Sequence, residues 1–462
     1  MKLLSLSFLL VSNLVFGQLT GVWHSSFKVA GKSLLMDLDI KGIGRDGSVT
    51  VSIPDQPKMK PEEMTEYAIF KDSLYFKWTR IGLSFSGKLI RDSLRGNMQQ
   101  SGLTWSVTFS KSVQATISAG RPQDPVGPFS YEESELEIKN KKVKIAGTFT
   151  YPKQGADAYP IVILVSGSGA QDRNCEIMGH QPFWVLADYL SKNGVGVFRY
   201  DDRGVGKSTG TFGTSTETDF TSDVLVILRH FQKEFPGHPL GIYGHSEGGM
   251  IGLRAAANFK DLAFLIEAAS VGTNGKDVLI DQQYDIPMAN GLSENLSTWN
   301  QRLFDEAAKI ASSTDEKTFH TTYATWLNSV WKEVPDSLKE GKSPAEMCDE
   351  MSVFMNTAWA REFLSYQAAD YLRNVKLPML VINGKKDIQV RWSESQHGFK
   401  HHMTPETLSH SKFIAYEDLN HLLQPCINCD IMEYATIETT LSPIVMNDIL
   451  SWIKSLHEWE KK

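Results

Sequence analysis

Gly241-Ile-Tyr-Gly-His-Ser-Glu-Gly-Gly-Met250 joins two different periodicities. Ahead of the first Gly-X-Ser, Leu240–Tyr243 is a short apolar run without alternation, the pattern of a strand buried on both faces. Behind it, Met250–Ala257 is Ala-rich and helical in pattern. The five residues Gly244-His-Ser-Glu-Gly248 between them fit G-x-S-x-G, and strand, turn and helix in that order give the motif its weight. The turn has to be very sharp. Glycines flank the serine because side chains there would collide, and the serine takes a strained backbone conformation. That geometry lifts the Ser246 hydroxyl above the sheet, beside a helix amino terminus that favours negative charge.

A serine hydroxyl is a weak nucleophile, so a base must take its proton and an acid must orient that base. In this architecture the chain order is Ser, Asp/Glu, His. Met379-Leu-Val-Ile-Asn-Gly-Lys-Lys-Asp387 ends a buried run in a Gly turn and selects Asp387 as the acid. Phe413-Ile-Ala-Tyr416 is followed by Glu417-Asp-Leu-Asn-His421, which selects His421 as the base. His397, His401, His402 and His410 fall in a helix and turn between these strands, and His457 in the terminal helix. His245 lies on the turn but points away from Ser246, a structural role. Asp418, three residues from His421, is at best a local partner. The oxyanion needs two fixed donors. One is the backbone N–H of Glu247, and the second falls in Val165-Ser-Gly-Ser-Gly-Ala170, where Ser168 is assigned and Gly167 and Gly169 compete.

Outward from this centre, Ile161–Val165, Val195–Phe198, Leu262–Ile266 and Met379–Ile382 repeat the unalternating apolar pattern, separated by helical stretches. They predict an α/β fold with a mostly parallel sheet flanked by helices, opened by a hairpin around Asn140-Lys141 and closed by a strand at Lys412–Tyr416 and a helix over about 442–457. About a hundred residues separate Ser270 from Met379, where a crossover needs about a dozen. The excess predicts a helical cap at about 275–370, with Trp299, Phe304, Trp326, Trp331, Phe354, Trp359 and Phe363 as its core.

Residues 18–112 alternate at period 2, as in Leu34/Met36/Leu38/Ile40, Val49/Val51/Ile53, Leu74/Phe76/Trp78 and Leu103/Trp105/Val107/Phe109. That predicts a small all-β sandwich or barrel with one apolar face, carrying no catalytic constellation. Residues 113–131, with Pro122, Pro125 and Pro128, read as a linker. Met1-Lys2 followed by the apolar Leu3–Phe16 reads as a signal peptide over 1–17, and the protein as exported, periplasmic or secreted.

The 462 residues carry 47 basic and 54 acidic side chains, a formal charge of −7, with 41% apolar residues. This is ordinary globular composition without a basic run, which argues against nucleic acid as partner, and no later segment predicts stable membrane insertion. Four cysteines are too few for a disulfide scaffold. Cys426-Ile-Asn-Cys429 reads as a local disulfide or two incidental thiols, and no metal or other cofactor is expected.

The motifs Ser166-Gly-Ser-Gly-Ala-Gln-Asp-Arg173, Gly179-His-Gln-Pro-Phe183, Arg199-Tyr-Asp-Asp-Arg-Gly-Val-Gly-Lys-Ser-Thr-Gly210 and Gly244–Gly249 resemble those of bacterial esterase-D-type carboxylesterases, α/β-hydrolases that also resemble serine-aminopeptidase-type hydrolases. The β-rich segment starting Gly21-Val-Trp23 is similar to the accessory domain ahead of such catalytic domains. The resemblance implies a triad of Ser246, Asp387 and His421, and esterase activity on short acyl esters. The expected partner is a small ester substrate, an acylated carbohydrate among the candidates. It departs from the family in Ser166-Gly167, where His-Gly is common, and in the two cysteines after His421. Tyr200–Gly204 is expected to brace its loop, and Gln171, Asp172 and Arg173 to form the pocket rim. An exported peptidase or acyl-peptide hydrolase using the same three residues is the alternative. An inactive fold whose β domain binds a glycan is the reading from another class. Nothing in the pattern specifies an oligomer.

Overall fold

The computed structural model describes residues 19–29, 32–42, 47–53, 61–70, 72–78, 83–90, 92–100, 103–111, 121–153, 158–339 and 341–459. The leader read over 1–17 lies outside them, as do 113–120 of the linker. The chain divides into two compact units, one drawn from residues up to 121 with 177–180, the other from 122–176 and 181 onward. Among the described residues no helix is long and apolar enough to cross a membrane.

The first unit is a single antiparallel sheet of nine strands: β1 Gly21–Val29, β2 Lys32–Lys41, β3 Ser48–Ser52, β4 Glu62–Glu63, β5 Glu66–Phe70, β6 Ser73–Trp78, β7 Leu83–Ile90, β8 Ser93–Gln100 and β9 Leu103–Ser110. Its order is β4-β3-β2-β1-β9-β8-β7-β6-β5. Alternation decides which face is inside, because successive side chains of a strand point to opposite faces. Met36, Leu38 and Ile40 are buried, as are Val49, Val51, Leu74, Phe76 and Trp78. Phe85 stacks on Phe76 and meets Phe109 edge-on, each with ring centroids 5.4 Å apart. One sheet curling about one apolar face, a half-barrel, replaces the expected sandwich or closed barrel. The side chains of Leu34, Leu103 and Trp105, expected on the same face, lie outside the described ones.

The second unit is built on an eight-stranded sheet: β10 Tyr131–Asn140, β11 Val143–Pro152, β12 Ile161–Val165, β13 Gly196–Tyr200, β14 Leu240–His245, β15 Leu262–Ala268, β16 Met379–Gly384 and β17 Lys412–Tyr416, in the order β10-β11-β13-β12-β14-β15-β16-β17. The β10–β11 hairpin turns at Asn140-Lys141 and joins β13 antiparallel; from β13 to β17 every neighbouring pair is parallel. Every residue of β12, β13 and β14 is buried. That explains their unalternating sequences: helices cover both faces. Helices Pro182–Lys192 and Pro443–Trp459 pack on one face with Val162, Leu164 and Ile266, while Glu217–Glu234 and Glu247–Asn258 pack on the other with Ile163, Phe198 and Ile242. This is the α/β-hydrolase fold.

Among the described residues, seven helices fill the excursion between β15 and β16, from Gly275–Ala289 to Ala368–Leu372. Phe304 and Phe363 are buried within it, and Phe319, Tyr323 and Trp326 stack in succession. The Trp side chains are only partly buried, and Trp359 is put to other use, as described below.

One feature of the sheet is costly. Glu267 on β15 is completely buried, and desolvation pushes its carboxyl up from 4.5 to about 8. The folded state therefore holds a proton that the unfolded chain releases near 4.5, so this residue's contribution to stability falls as pH rises through that interval and levels off above about 8. Glu267→Gln should unfold at the same denaturant concentration as the parent near pH 4, and at a higher one at pH 8–9. Parallel curves at all pH values would contradict this.

Candidate active site

Ser246 follows β14 and is the residue before the helix Glu247–Asn258. Its backbone has φ 55° and ψ −123°, a conformation that L residues other than glycine avoid. The surroundings enforce it. A Cβ on Gly244 would lie 2.4 Å from the Gly248 carbonyl oxygen, and one on Gly248 would lie 2.2 Å from that of Val165. The Ser246 N–H donates to Ala268 at 2.9 Å, which fastens the turn to β15. Its hydroxyl therefore stands at the carboxyl ends of the strands. The leading N–H groups of the following helix have no partner within the helix, so an anion there finds donors already oriented.

Asp387 and His421 come together from loops after β16 and β17. His421 Nδ1–H donates to Asp387 Oδ2 at 2.8 Å, and both side chains are essentially excluded from solvent. The other carboxylate oxygen accepts the N–H groups of Gln389 and Val390 at 2.8 and 2.9 Å. Each oxygen thus has a fixed donor, and the imidazole has one tautomer, with its Nε2 left as an acceptor. The His421 loop is tied to the serine turn directly. His245 Nε2–H donates to the His421 carbonyl at 3.0 Å, and the two rings lie 4.9 Å apart. Burial lowers the His245 ring to about 4, so it stays neutral and serves as a strut, the structural role its position suggested. His397, His401 and His402 lie on the helix Trp392–His402, and His410 ends the next one.

The loop after β12 supplies the second wall. Gly167 packs on the turn closely enough that a Cβ would lie 3.1 Å from Cβ of Ser246. Ser168, on the same loop, is exposed.

Of the three rim candidates, Gln171 keeps to the loop, donating from Nε2 to the Ser168 carbonyl and from its N–H to Asp202. Asp172 accepts the N–H groups of Asn174 and Glu176, closing a local turn. The Arg173 guanidinium donates to Asp201 and Glu135 at 2.8–3.0 Å, and to Thr148 at 2.7 Å. The stretch Asp201-Asp-Arg203 is the brace. Asp201 also accepts the N–H groups of Arg173 and Lys207, Arg203 pairs with Asp219 and Asp223, and Asp202, pushed up to about 8 by burial, accepts from Ser166.

Cys426 and Cys429 are joined by a disulfide in the loop after His421. The N–H groups of Ile427, Asn428 and Cys429 all point at Glu433, whose carboxylate closes that loop at 2.5–2.9 Å. Sequence reasoning passed over two contributors. Glu433 lies in no motif. Trp359, counted with the cap core, donates from Nε1 to Glu247 Oε1 at 2.8 Å.

Three kinds of likeness bear on this site. A curated relative, esterase EstD of Thermotoga maritima, is 24% identical over 310 residues, 67% of this chain and 64% of that protein. The chain thus spans a little under two thirds of its relative. Among solved structures, the Pyrococcus furiosus esterase Pf2001 aligns at 16% identity over 73% of this chain and 97% of its own, with a TM-score of 0.42. Proline iminopeptidase of Mycobacterium smegmatis aligns at 15% over 70% and 98%, with a TM-score of 0.43. The profile of the family described as serine aminopeptidase, S33, matches residues 181–424, more than half of the chain and a span that holds Ser246, Asp387 and His421. On that match, joined to the fold, the chain belongs to the serine aminopeptidase S33 family of α/β-hydrolases.

Proposed function

We propose that this protein is a serine hydrolase of short-chain carboxylic esters, working through an acyl-enzyme on Ser246. The observation that carries the reading is the buried Asp387–His421 pair, hung by the His421 carbonyl on the residue that precedes Ser246. His421 Nε2 takes the Ser246 hydroxyl proton as the oxygen attacks the ester carbonyl. The backbone N–H groups of Glu247 and Ser168 hold the oxyanion. His421 then gives that proton to the departing alcohol, and the acyl group remains on Ser246. Water, deprotonated by His421 in turn, attacks the acyl carbon; the carboxylic acid leaves and Ser246 recovers its proton. Every group in this cycle belongs to the chain, and the likeness to an esterase from Thermotoga maritima favours an ester over an amide.

The S33 family description favours a second reading, cleavage of an amino-terminal peptide bond by the same residues. We further propose export: Met1-Lys2 with Leu3–Phe16 supports it, and so does a disulfide between Cys426 and Cys429, a bond that persists in oxidising compartments.

Ser246→Ala should lower turnover by about 10⁴–10⁶ with an unchanged unfolding midpoint, and should abolish labelling by a fluorophosphonate probe. Full activity in that variant would remove the assignment. Matched p-nitrophenyl esters and amino-acyl p-nitroanilides separate the two readings: the ester should be preferred by about 100-fold or more in kcat/KM, and a reversed ratio would identify a peptidase. Mass spectrometry of the exported protein should find the first 17 or so residues missing, and an intact Met1 would count against the leader.

A further inference from the structure

The Glu247 backbone N–H is the proposed oxyanion donor, yet its side chain is the more unusual part. It follows Ser246 directly, opens the helix Glu247–Asn258 and is only 3% exposed. A carboxyl gains from a helix amino terminus, but burial costs it more, and its acidity is weakened accordingly. Trp359 Nε1 reaches it from the cap at 2.8 Å, across 112 positions of sequence. The contact joins two separate pieces of the site, the serine turn and the cap.

The cap side of this contact is itself fixed. Trp359, Glu362 and Phe363 are spaced i, i+3, i+4 on the helix Ala358–Ser365 and share one face. Trp359 packs on Phe363 with ring centroids 5.1 Å apart. Glu362 pairs with Arg254, two turns along from Glu247 on the same helix, and accepts from Thr218 at 2.5 Å. Behind, Arg361 donates to the carbonyls of Ala311 and Thr314 at 3.0 and 2.7 Å, tying this helix into the rest of the cap. The cap therefore grips the helix after Ser246 at two points, and the first is the residue whose N–H is the proposed oxyanion donor.

We infer that the Glu247 carboxyl, held by Trp359, is a positioning group that keeps the Glu247 N–H aimed at the forming oxyanion, so that the cap acts on the rate of the chemical step as well as on the shape of the pocket. The inference rests on the ester-hydrolase reading above and deepens it. Its physical basis is geometric. Donors must meet the place where the oxyanion forms, and a small misplacement is expensive because the stabilisation is made only in the transition state. A backbone N–H in the first turn of a helix keeps its aim only if that turn is held, and the bond from the cap to the side chain of the same residue holds it.

Trp359→Phe keeps the ring and its contact with Phe363 but removes the N–H. It should lower kcat for a short p-nitrophenyl ester about 10–100-fold while KM moves less than about 2-fold. Glu247→Ala should do the same, and Glu247→Gln, whose amide oxygen still accepts, should recover much of the loss. The double variant Trp359→Phe/Glu247→Ala should be no slower than the slower single variant, since both cut one link. Affinity for a boronic acid, which forms a tetrahedral adduct on Ser246, should fall by the same factor as kcat, while affinity for the product acid stays put. Additive losses, or losses confined to KM, would overturn the clamp while leaving the esterase reading intact. A parent protein that takes no fluorophosphonate label would overturn the esterase reading itself.

Discussion

The turn at Ser246 is the constraint on which the rest of the active unit is arranged. A residue held at positive φ costs about 1–3 kcal/mol and persists only where its surroundings over-determine it. Here the surroundings are Gly244 and Gly248, packed so that neither could carry a side chain, with the backbone of β12 passing directly over the second. The sheet order follows from the same need. β14 lies between β12 and β15, so the serine rises at the centre of the sheet, flanked by the loop after β12 and fastened to β15. Asp387 and His421 then have only to close the next two parallel strands to arrive beside it.

Much of this was legible because the signals were local. Buried parallel strands have few polar positions, so β12 could be bounded to the residue, and the Gly-x-Ser-x-Gly turn announced both its geometry and its neighbours. Asp387 and His421 could be chosen by chain order, since strand ends in such a sheet converge on one edge, and the structure brings those two into contact. The N-terminal half-barrel was harder. Period-2 alternation states which face is buried but not whether the opposing wall is a second sheet or the same one curled round.

What stayed hidden were pairings across long sequence distances. Arg173, read as part of a pocket rim, pairs with Glu135 and Asp201, and neither carries a pattern that advertises the pairing. Trp359 sat among six other cap aromatics at helical spacing, and only its indole N–H, meeting a carboxyl 112 residues away, distinguishes it. A polar handle on a large apolar ring is what allows one residue to serve packing and positioning together. The acids tell a similar story. Glu217 and Glu267 are both driven up to about 8 by burial, a cost that no property of an isolated Glu reveals.

The half-barrel's strand order has a practical corollary for anyone trimming this polypeptide. β1 is hydrogen-bonded on one side to β2 and on the other to β9, so residues almost ninety apart in sequence are edge to edge in the middle of the sheet. Assembly of that unit must wait for its two sequence extremes to meet, which makes it a high-contact-order, slowly nucleating element. An expression fragment shortened past Val29 would leave two unjoined ribbons with raw hydrogen-bonding edges, a template for aggregation rather than a smaller domain.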